Sequence, residues 1–341
     1  MQIINNSLLT ITLNRPEVYN ALNLELTRSI TDALEQALKN PDIKTILIRS
    51  SMDKVFCAGG DVKAAYYAKT EGNKSYAEEF FRAEYQLNYL ISTYPKPIIA
   101  LINGLTLGGG MGLAMHAKYR VVNEFAQLGM PETTIGFFTD VGAGHFYKKL
   151  PLSLNLYFSL TGETLDYHQA LSYGLATHFV PKDEEADFVL SSSDFTLSSS
   201  HLLRGSLDPR NKSEDDNIDI INTCFKDDSI EAIFERLQEH PSTFAKECLN
   251  LLFKKSPTSL KVVFELIKRS KKLSLKEILE QDFILSQNFM NHPDCMEGVR
   301  AQVIDKDKNP KWNPDDLKSV TDEMVAQFFI EKPGLKGLFD D

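Results

Sequence analysis

The sequence lacks several features that would define a special class of protein. Its four cysteines, Cys57, Cys224, Cys248 and Cys295, are far apart and form no CxxC pair. Such scattered cysteines predict free thiols in a reducing compartment. The first six residues lack a basic targeting region, and no apolar run reaches the ~18 residues of a membrane span. The expected location is therefore the cytoplasm, or the mitochondrial matrix if the chain is a processed eukaryotic form.

Negative charge outweighs positive charge, and the common nucleotide and metal motifs are absent from the sequence. The formal net charge is −10, whereas nucleic acids and anionic membranes select clustered Lys and Arg, so neither is an expected partner. The sequence contains no GxxxxGK[ST] phosphate loop, no HExxH helix and no GxSxG elbow. Leu113 stands where a dinucleotide-binding GxGxxG needs its third glycine. These absences argue against a Rossmann domain and predict no metal site.

The segment 103–146 holds the most informative residues. A triple glycine, Gly108-Gly109-Gly110, follows the apolar run 98–102. Glycines after a strand let a ligand approach the backbone, and the first N–H groups of the next helix are free to bind it. Glu132 and Asp140 then stand eight positions apart in an apolar stretch, where buried charge is costly unless it is paired or used. The segment predicts an anion hole beside an acid/base pair.

A second glycine corner, 58–61 (AGGD), follows the strand-like run 45–49. Backbone donors from two such corners can bind one developing oxyanion. Here the residues resemble a known family. The runs 13–16 (LNRP), 20–22 (NAL), 56–61 (FCAGGD) and 103–110 (NGLTLGGG) are similar in order and spacing to the crotonase, or enoyl-CoA hydratase/isomerase, superfamily.

Further runs resemble the 3-hydroxyisobutyryl-CoA hydrolase branch of that superfamily. These are 81–85 (FRAEY), 130–133 (MPET), 140–142 (DVG), 297–301 (EGVRA), 305–308 (DKDK) and 310–312 (PKW). The resemblance therefore spans nearly the whole chain. It implies an α/β fold built as the crotonase spiral of β-β-α repeats.

Local patterns predict how the chain is divided. Strands and helices alternate up to about residue 181, which is typical of an α/β fold. A polar, serine-rich stretch follows, and then four helical segments that each begin with a capping serine, Ser229, Ser242, Ser256 and Ser274. We predict a crotonase-like catalytic core over 1–200 and a mainly helical C-terminal module over 201–341.

The acid/base residues distinguish the reactions of the superfamily. Its hydratases carry a glutamate two places after the last of the three glycines, where this chain has Gly112. Glu132 remains of the hydratase pair, and Asp140 falls where hydratases usually carry glycine. The resemblance thus implies an acyl-CoA thioester hydrolase that converts 3-hydroxyisobutyryl-CoA and water into 3-hydroxyisobutyrate and coenzyme A, a step of valine degradation.

The resemblance also implies roles for individual residues. The N–H groups of Ala58 and Gly109 form the oxyanion hole, and Glu132 acts either as nucleophile, giving an acyl anhydride, or as the base that activates water. Asp140 orients the 3-hydroxyl or assists proton transfer to the thiolate. Substrate contacts are expected from Glu84, Gly60, Asp61 and Gly108. Coenzyme A enters as part of the substrate and leaves as a product, no separate cofactor is expected, and a trimer-based homo-oligomer is the family's assembly.

Several alternatives remain at this stage. An enoyl-CoA hydratase or isomerase acting with Glu132 alone is the main one, and a non-catalytic crotonase-fold scaffold is the one from another class. Glu84 is either a solvated helical glutamate or a substrate contact. His145 is either a hydrogen-bonded structural histidine or a base that faces the substrate. Cys57 reads as a packing residue. The basic run from Lys268 to Lys272 is either a contact for CoA phosphates or a solvated helix end.

Overall fold

The computed structural model describes residues 2–5, 7–73, 75–191, 217–226 and 228–340. The predicted α/β class is confirmed. The strands are β1 (Gln2–Asn5), β2 (Leu8–Leu13), β3 (Thr45–Ser50), β4 (Val55–Cys57), β5 (Ile98–Ile102), β6 (Leu105–Leu107), β7 (Tyr119–Val122), β8 (Gln127–Gly129), β9 (Thr164–Asp166) and β10 (His178–Phe179).

The α-helices follow in two groups. The first is α1 (Leu24–Lys39), α2 (Val62–Thr70), α3 (Tyr76–Thr93), α4 (Gly109–Met115), α5 (Ala143–Phe146), α6 (Leu152–Thr161), α7 (Tyr167–Ser172) and α8 (Glu185–Ser191). The second is α9 (Ile218–Cys224), α10 (Ile230–Glu239), α11 (Thr243–Leu252), α12 (Pro257–Ser270), α13 (Leu275–Phe289), α14 (Pro293–Val299) and α15 (Asp322–Phe328). No helix within these ranges is long and apolar enough to cross a membrane.

Contacts group the chain into two compact units. Unit 1 comprises the described residues of 1–61, 83–129 and 164–213, and it contains both sheets. The larger sheet has the order β1-β2-β3-β5-β7-β10, and the smaller has the order β4-β6-β8-β9. Every pair in the larger sheet is parallel except β1-β2, while β8-β9 is antiparallel in the smaller.

Parallel pairing explains the continuous apolar runs of the central strands. In β5 all five residues are buried, and in β3 the first four are. A parallel strand covered on both faces reads as an uninterrupted hydrophobic run rather than an alternating one. Each of these strands leads into a strand of the smaller sheet and then a glycine corner, so the sheet order places both corners in unit 1.

Unit 2 comprises the described residues of 62–82, 130–163 and 214–341 and is mainly helical. The predicted C-terminal helices are confirmed, and all four predicted serines cap them: Ser229, Ser242, Ser256 and Ser274 each accept an N–H from the residue three positions on. Such caps satisfy otherwise orphaned donors. The segments 62–82 and 130–163 belong with these helices, so the compact units do not follow the predicted division at residue 200.

Aromatic packing gives the physical reason for this grouping. Phe137 stacks on Phe81 with ring centroids 5.5 Å apart and meets Phe289 of α13 edge-on, also at 5.5 Å. Phe138 stacks on the same Phe289 at 5.2 Å, and Phe289 contacts Phe328 of α15 at 4.5 Å. Burying large aromatic surfaces contributes much of the stability of a core. One aromatic core thus joins three distant segments of the sequence.

Candidate active site

The first glycine corner is held by the motif that precedes α1. Asn20 is fully buried with φ 59°, and its side-chain amide donates to Phe56 O at 3.0 Å and to Ser50 Oγ at 2.8 Å. Arg15 forms an ion pair with Asp61 at 3.3 Å. An asparagine tolerates the left-handed region because its short side chain can bond the local backbone. The LNRP and NAL runs therefore shape the corner that follows β4.

The backbone donors at this corner correct one prediction. The N–H of Ala58 donates to Tyr19 O at 3.0 Å, and that of Asp61 donates to Leu22 O at 2.7 Å. Both are used within the fold, so the Ala58 N–H is not available to an oxyanion. Between them, the N–H of Gly60 has no acceptor among the described residues. Gly60 is thus the donor that this corner offers.

The second corner brings Gly109 beside Gly60. Gly109 begins α4, and its N–H also has no acceptor in the described part of the chain, as expected for the first residue of a helix. A methyl group built on Gly109 would lie 3.2 Å from the Gly60 nitrogen and 2.3 Å from Glu84 Oε1. Gly108, by contrast, uses its N–H to bond Gly129 O at 3.1 Å. Unit 1 therefore gathers Gly60, Gly109 and Glu84 in one place.

Glu84 and Cys57 share the buried surroundings of these glycines. Glu84, on α3, is 2% exposed, which excludes the reading of a solvated helical glutamate. Cys57 is fully buried, and burial raises the pKa of its thiol to about 12, with the negative charge of Glu84 adding to the rise. A thiol with so high a pKa is a poor nucleophile. The packing interpretation of Cys57 is confirmed.

In unit 2, Glu132 opens a single 3-10 turn, Glu132–Ile135. The C-terminal motif EGVRA packs on this turn: a methyl group built on Gly298 would lie 2.3 Å from the carbonyl carbon of Ile135. A methyl group on Gly136 would lie 3.0 Å from the ring of Trp312. Only glycine permits such close approach. Through these contacts the C-terminal residues Gly298 and Trp312 pack on the turn that begins with Glu132.

Two buried groups lie within electrostatic reach of Glu132, and neither was expected from sequence. Lys255 is 6% exposed and donates to Thr134 Oγ1 at 2.6 Å. Burial lowers the pKa of Lys255 to about 8, while the charges of Glu163 and Glu132 oppose this shift. Burial also raises the pKa of Tyr147, and the charge of Glu132 raises it further. Glu132 thus has a cation and a neutral phenol as neighbours in unit 2.

Asp140 precedes a strained turn that a second aspartate supports. Val141 and Gly142 have φ values of 51° and 77°, and Ala143 N–H donates to Asp140 O at 2.9 Å. The N–H of Gly142 donates to Asp282 Oδ2 at 2.8 Å. Asp140 is 5% exposed and Asp282 is fully buried. Burial raises the pKa of Asp282 well above its usual value, and the charge of Asp140 adds to this rise.

The remaining sequence candidates lie as follows. Asp61 pairs with Arg15, and the substrate contacts predicted for Asp61, Gly60, Gly108 and Glu84 stay predictions. Burial and the charges of Lys148 and Lys149 lower the pKa of His145. Within the described ranges, no cluster of His, Cys, Asp and Glu is arranged to hold a metal ion.

The basic run from Lys268 to Lys272 closes α12. Lys268 lies over the ring of Phe264 at 4.8 Å, and Arg269 bonds Glu265 at 2.8 Å and covers the ring of Phe329 at 3.9 Å. Basic residues in the last turn are favoured by the helix dipole. The contacts of Lys268 and Arg269 therefore support the reading of a helix end, while binding of CoA phosphates stays a prediction.

Comparison with known families identifies the class. The profile of the enoyl-CoA hydratase/isomerase family matches residues 8–329, which is nearly the whole chain. The chain belongs to this family, and the resemblance to the crotonase superfamily is confirmed. Two solved structures agree with the fold. One is a carnitinyl-CoA dehydratase from Mycobacterium thermoresistibile, with a TM-score of 0.91 and 30% identity, covering 98% of this chain and 97% of that one.

The other structure is an enoyl-CoA hydratase from Rhodobacter sphaeroides 2.4.1, with a TM-score of 0.90 and 29% identity over 99% of both chains. Curated relatives show a higher identity. The chain is 41% identical over 329 residues to the mitochondrial 3-hydroxyisobutyryl-CoA hydrolase of Xenopus tropicalis, and 40% identical to that of Homo sapiens. Each match covers 94% of this chain and 85% of the relative. The resemblance to the hydrolase branch is thus confirmed.

Proposed function

We propose that this chain hydrolyses the thioester bond of 3-hydroxyisobutyryl-CoA and releases 3-hydroxyisobutyrate and coenzyme A. The observation that carries the proposal is the identity of 40–41% over 94% of the chain to proteins named for this reaction. The buried carboxylates Glu84 and Asp140, together with Glu132, supply the acid/base chemistry that such a hydrolysis needs.

The first step of the proposed reaction is stabilisation of charge on the thioester oxygen. The N–H groups of Gly60 and Gly109 are the donors, with Gly60 taking the role that the sequence assigned to Ala58. As the carbonyl carbon becomes tetrahedral, its oxygen gains negative charge, and each donor aimed at that oxygen contributes ~2.7–4 kcal/mol to the transition state. The supporting observation is that neither N–H has an acceptor within the described residues.

Glu132 performs the attack in one of two ways. As nucleophile, its carboxylate oxygen bonds to the carbonyl carbon, the C–S bond breaks, and water then hydrolyses the acyl anhydride. As base, it takes a proton from the water that attacks the same carbon. Both routes require an ionised Glu132, and the buried Lys255 lies within electrostatic reach of its carboxyl group. Asp140 orients the 3-hydroxyl of the substrate or delivers a proton to the departing thiolate.

The main alternative is hydration of an enoyl-CoA, because both solved structures described above carry dehydratase or hydratase names. A shared fold does not fix the reaction. Gly112, buried within α4, occupies the position of the first hydratase glutamate and supplies no carboxylate. The absence of that side chain favours hydrolysis, and the retained Glu132 and Asp140 argue against a scaffold without activity.

A free-thiol release assay tests the proposal directly. Purified protein is given 3-hydroxyisobutyryl-CoA, isobutyryl-CoA and crotonyl-CoA, and hydration of crotonyl-CoA is followed in parallel by loss of its enoyl absorbance. We expect rapid thiol release from 3-hydroxyisobutyryl-CoA and slow or undetectable hydration. Fast hydration with negligible thiol release would establish the alternative, and inactivity in both assays would leave the scaffold reading.

The remaining assignments complete the proposal. Coenzyme A is part of the substrate and a product, and no separate cofactor takes part. The predicted assembly is a homo-oligomer based on trimers, as in the family. The curated relatives are named as mitochondrial. For this chain the cytoplasm stays the expected location, with the mitochondrial matrix if it is a processed eukaryotic form.

A further inference from the structure

The turn after Asp140 has a backbone conformation that requires support. Val141 has φ 51° and Gly142 has φ 77°. A β-branched residue rarely adopts the left-handed region, because its side chain crowds the backbone there. Such strain persists only where neighbouring contacts determine the conformation, and it is concentrated at functional sites. The contacts of residues 140–143 therefore hold the backbone from which the Asp140 side chain projects.

Asp282 provides the long-range contact to this turn. Its Oδ2 accepts the Gly142 N–H at 2.8 Å, across 140 positions of sequence. The bond from Ala143 N–H to Asp140 O, at 2.9 Å, closes the same turn locally. Asp282 lies in the middle of α13, a helix of 15 residues that begins with a complete capping box at Ser274. The carboxyl group that accepts the Gly142 N–H is thus held by a rigid helix.

The surroundings of Asp282 suit an uncharged carboxyl group. The residue is fully buried, its Oδ1 has no hydrogen-bond partner among the described residues, and no lysine or arginine in that part of the chain forms an ion pair with it. A lone buried carboxylate is costly. The nearby charge of Asp140 and the burial together raise the pKa of Asp282. A neutral carboxyl group can still accept the Gly142 N–H through its carbonyl oxygen.

We infer that Asp282 is a positioning residue for the proposed thioester hydrolysis: uncharged, it holds the turn 140–142 and so keeps the Asp140 carboxylate in its working orientation. The inference rests on the proposed function. Asp282 itself touches no reacting atom. Its effect passes through the Gly142 N–H, and any neutral acceptor of the same shape is sufficient for it.

Two substitutions at Asp282 distinguish a requirement for a hydrogen-bond acceptor from a requirement for a negative charge. Asp282→Asn keeps a carbonyl acceptor of the same shape, so kcat for thiol release is expected to stay within about threefold of the parent value. Asp282→Leu removes the acceptor, so kcat is expected to fall by ~10-fold or more with little change in KM, because misplacing a reacting group acts on the chemical step. Ser286→Ala, one turn along α13 at another buried polar side chain, is the matched control.

A double-mutant cycle and an activity-independent measurement complete the test. In an Asp140→Asn background, Asp282→Leu should cost little further kcat, because its effect passes through Asp140. Hydrogen exchange at the Gly142 amide should be slow in the parent and Asp282→Asn proteins and at least ~10-fold faster in Asp282→Leu.

The outcomes are distinguishable. An Asp282→Asn protein as slow as Asp282→Leu, or additive effects in the cycle, would overturn the inference, and the Asn variant decides this even if the Leu variant does not fold. Inactivity of the parent protein on every thioester would remove the proposed function and with it the catalytic role of Asp282. The exchange pattern would then show separately whether Asp282 holds the turn.

Discussion

The carboxylate of Glu84 lies directly against Gly109: a methyl group on the glycine would stand 2.3 Å from Glu84 Oε1, well inside van der Waals contact. The same methyl group would stand 3.2 Å from the Gly60 nitrogen. A buried acid and two backbone donors therefore converge on a position where only glycine fits. This convergence links the FRAEY run of α3 to both glycine corners, three parts of the sequence with no local relation to one another.

The first prediction follows from this contact. Gly109→Ala is expected to lower kcat for thiol release by ~10²-fold, because the methyl group displaces the substrate oxygen from a donor that contributes this much to catalysis. The clash should also lower the melting temperature. Steady-state kinetics with 3-hydroxyisobutyryl-CoA and thermal unfolding of the same preparation measure both effects.

A double variant tests the cause of the stability loss. Removing the carboxylate in Gly109→Ala/Glu84→Ala makes room for the methyl group, so part of the lost melting temperature should return. A Gly109→Ala protein with the parent kcat would remove Gly109 from the proposed oxyanion hole.

The sequence predicted the glycine corners well because their signals are local. A strand, a glycine run and a following helix are visible in consecutive residues, and so are the four capping serines of the C-terminal helices. The sequence reading assigned the oxyanion-hole donor of the first corner to Ala58 instead of Gly60, and the reason is physical. Which N–H is free at the first corner depends on Tyr19 O and Leu22 O, which lie more than 35 positions earlier in the chain and take up the N–H groups of Ala58 and Asp61.

Lys255 and Asp282 were missed for the same reason. Each reads in the sequence as an ordinary charged residue of the helical C-terminal part, because charged side chains are rarely fully buried. Asp282 accepts the N–H of Gly142, and Lys255 donates to the hydroxyl of Thr134, each across more than 100 positions of sequence. Such pairings depend on the packing of unit 2, which no local pattern encodes. The family resemblance supplied what local patterns did not, since it indicated that the EGVRA and MPET runs are both motifs of the hydrolase branch.

A second prediction concerns Glu132. Glu132→Gln keeps the size and shape of the side chain but removes its basicity and nucleophilicity, so kcat is expected to fall by ~10²-fold or more while KM changes little. Thiol release at saturating substrate is the measurement, with thermal unfolding to show that the fold is intact. Near-parent kcat in this variant would return Glu84 or His145 as candidates for the attacking group.

Asp140→Asn gives a third prediction, which uses two substrates. If Asp140 recognises the 3-hydroxyl, the variant should lose more kcat/KM on 3-hydroxyisobutyryl-CoA than on isobutyryl-CoA, which has no hydroxyl at that carbon. A lost charge-assisted hydrogen bond corresponds to roughly a 10-fold difference or more between the two ratios. Equal losses on both substrates would instead assign Asp140 to proton transfer to the thiolate.

The last prediction concerns stability and the buried Lys255. Its pKa in the folded protein is about 8, against 10.5 for the ordinary side chain. Between these values the unfolded chain binds more protons than the folded one, so the free energy of unfolding rises with pH across this window. The destabilisation of the folded protein by the buried charge of Lys255 is complete below pH 8 and disappears above pH 10.5. Lys255→Met, an unbranched apolar side chain of similar length, should remove that rise.

Denaturant unfolding of the parent and variant proteins between pH 7 and 10.5 measures the effect. The stability of Lys255→Met relative to the parent should decrease by an amount of the order of 2 kcal/mol over this range, because only the parent gains from deprotonation. Loss of the bond to Thr134, worth about 1 kcal/mol, offsets part of the variant's advantage at pH 7. Lys254→Met is the matched control, since Lys254 precedes Lys255 in the chain and its side chain is exposed. Parallel pH profiles for the parent and Lys255→Met proteins would show that Lys255 keeps an ordinary pKa, and would remove it from the electrostatic account of Glu132.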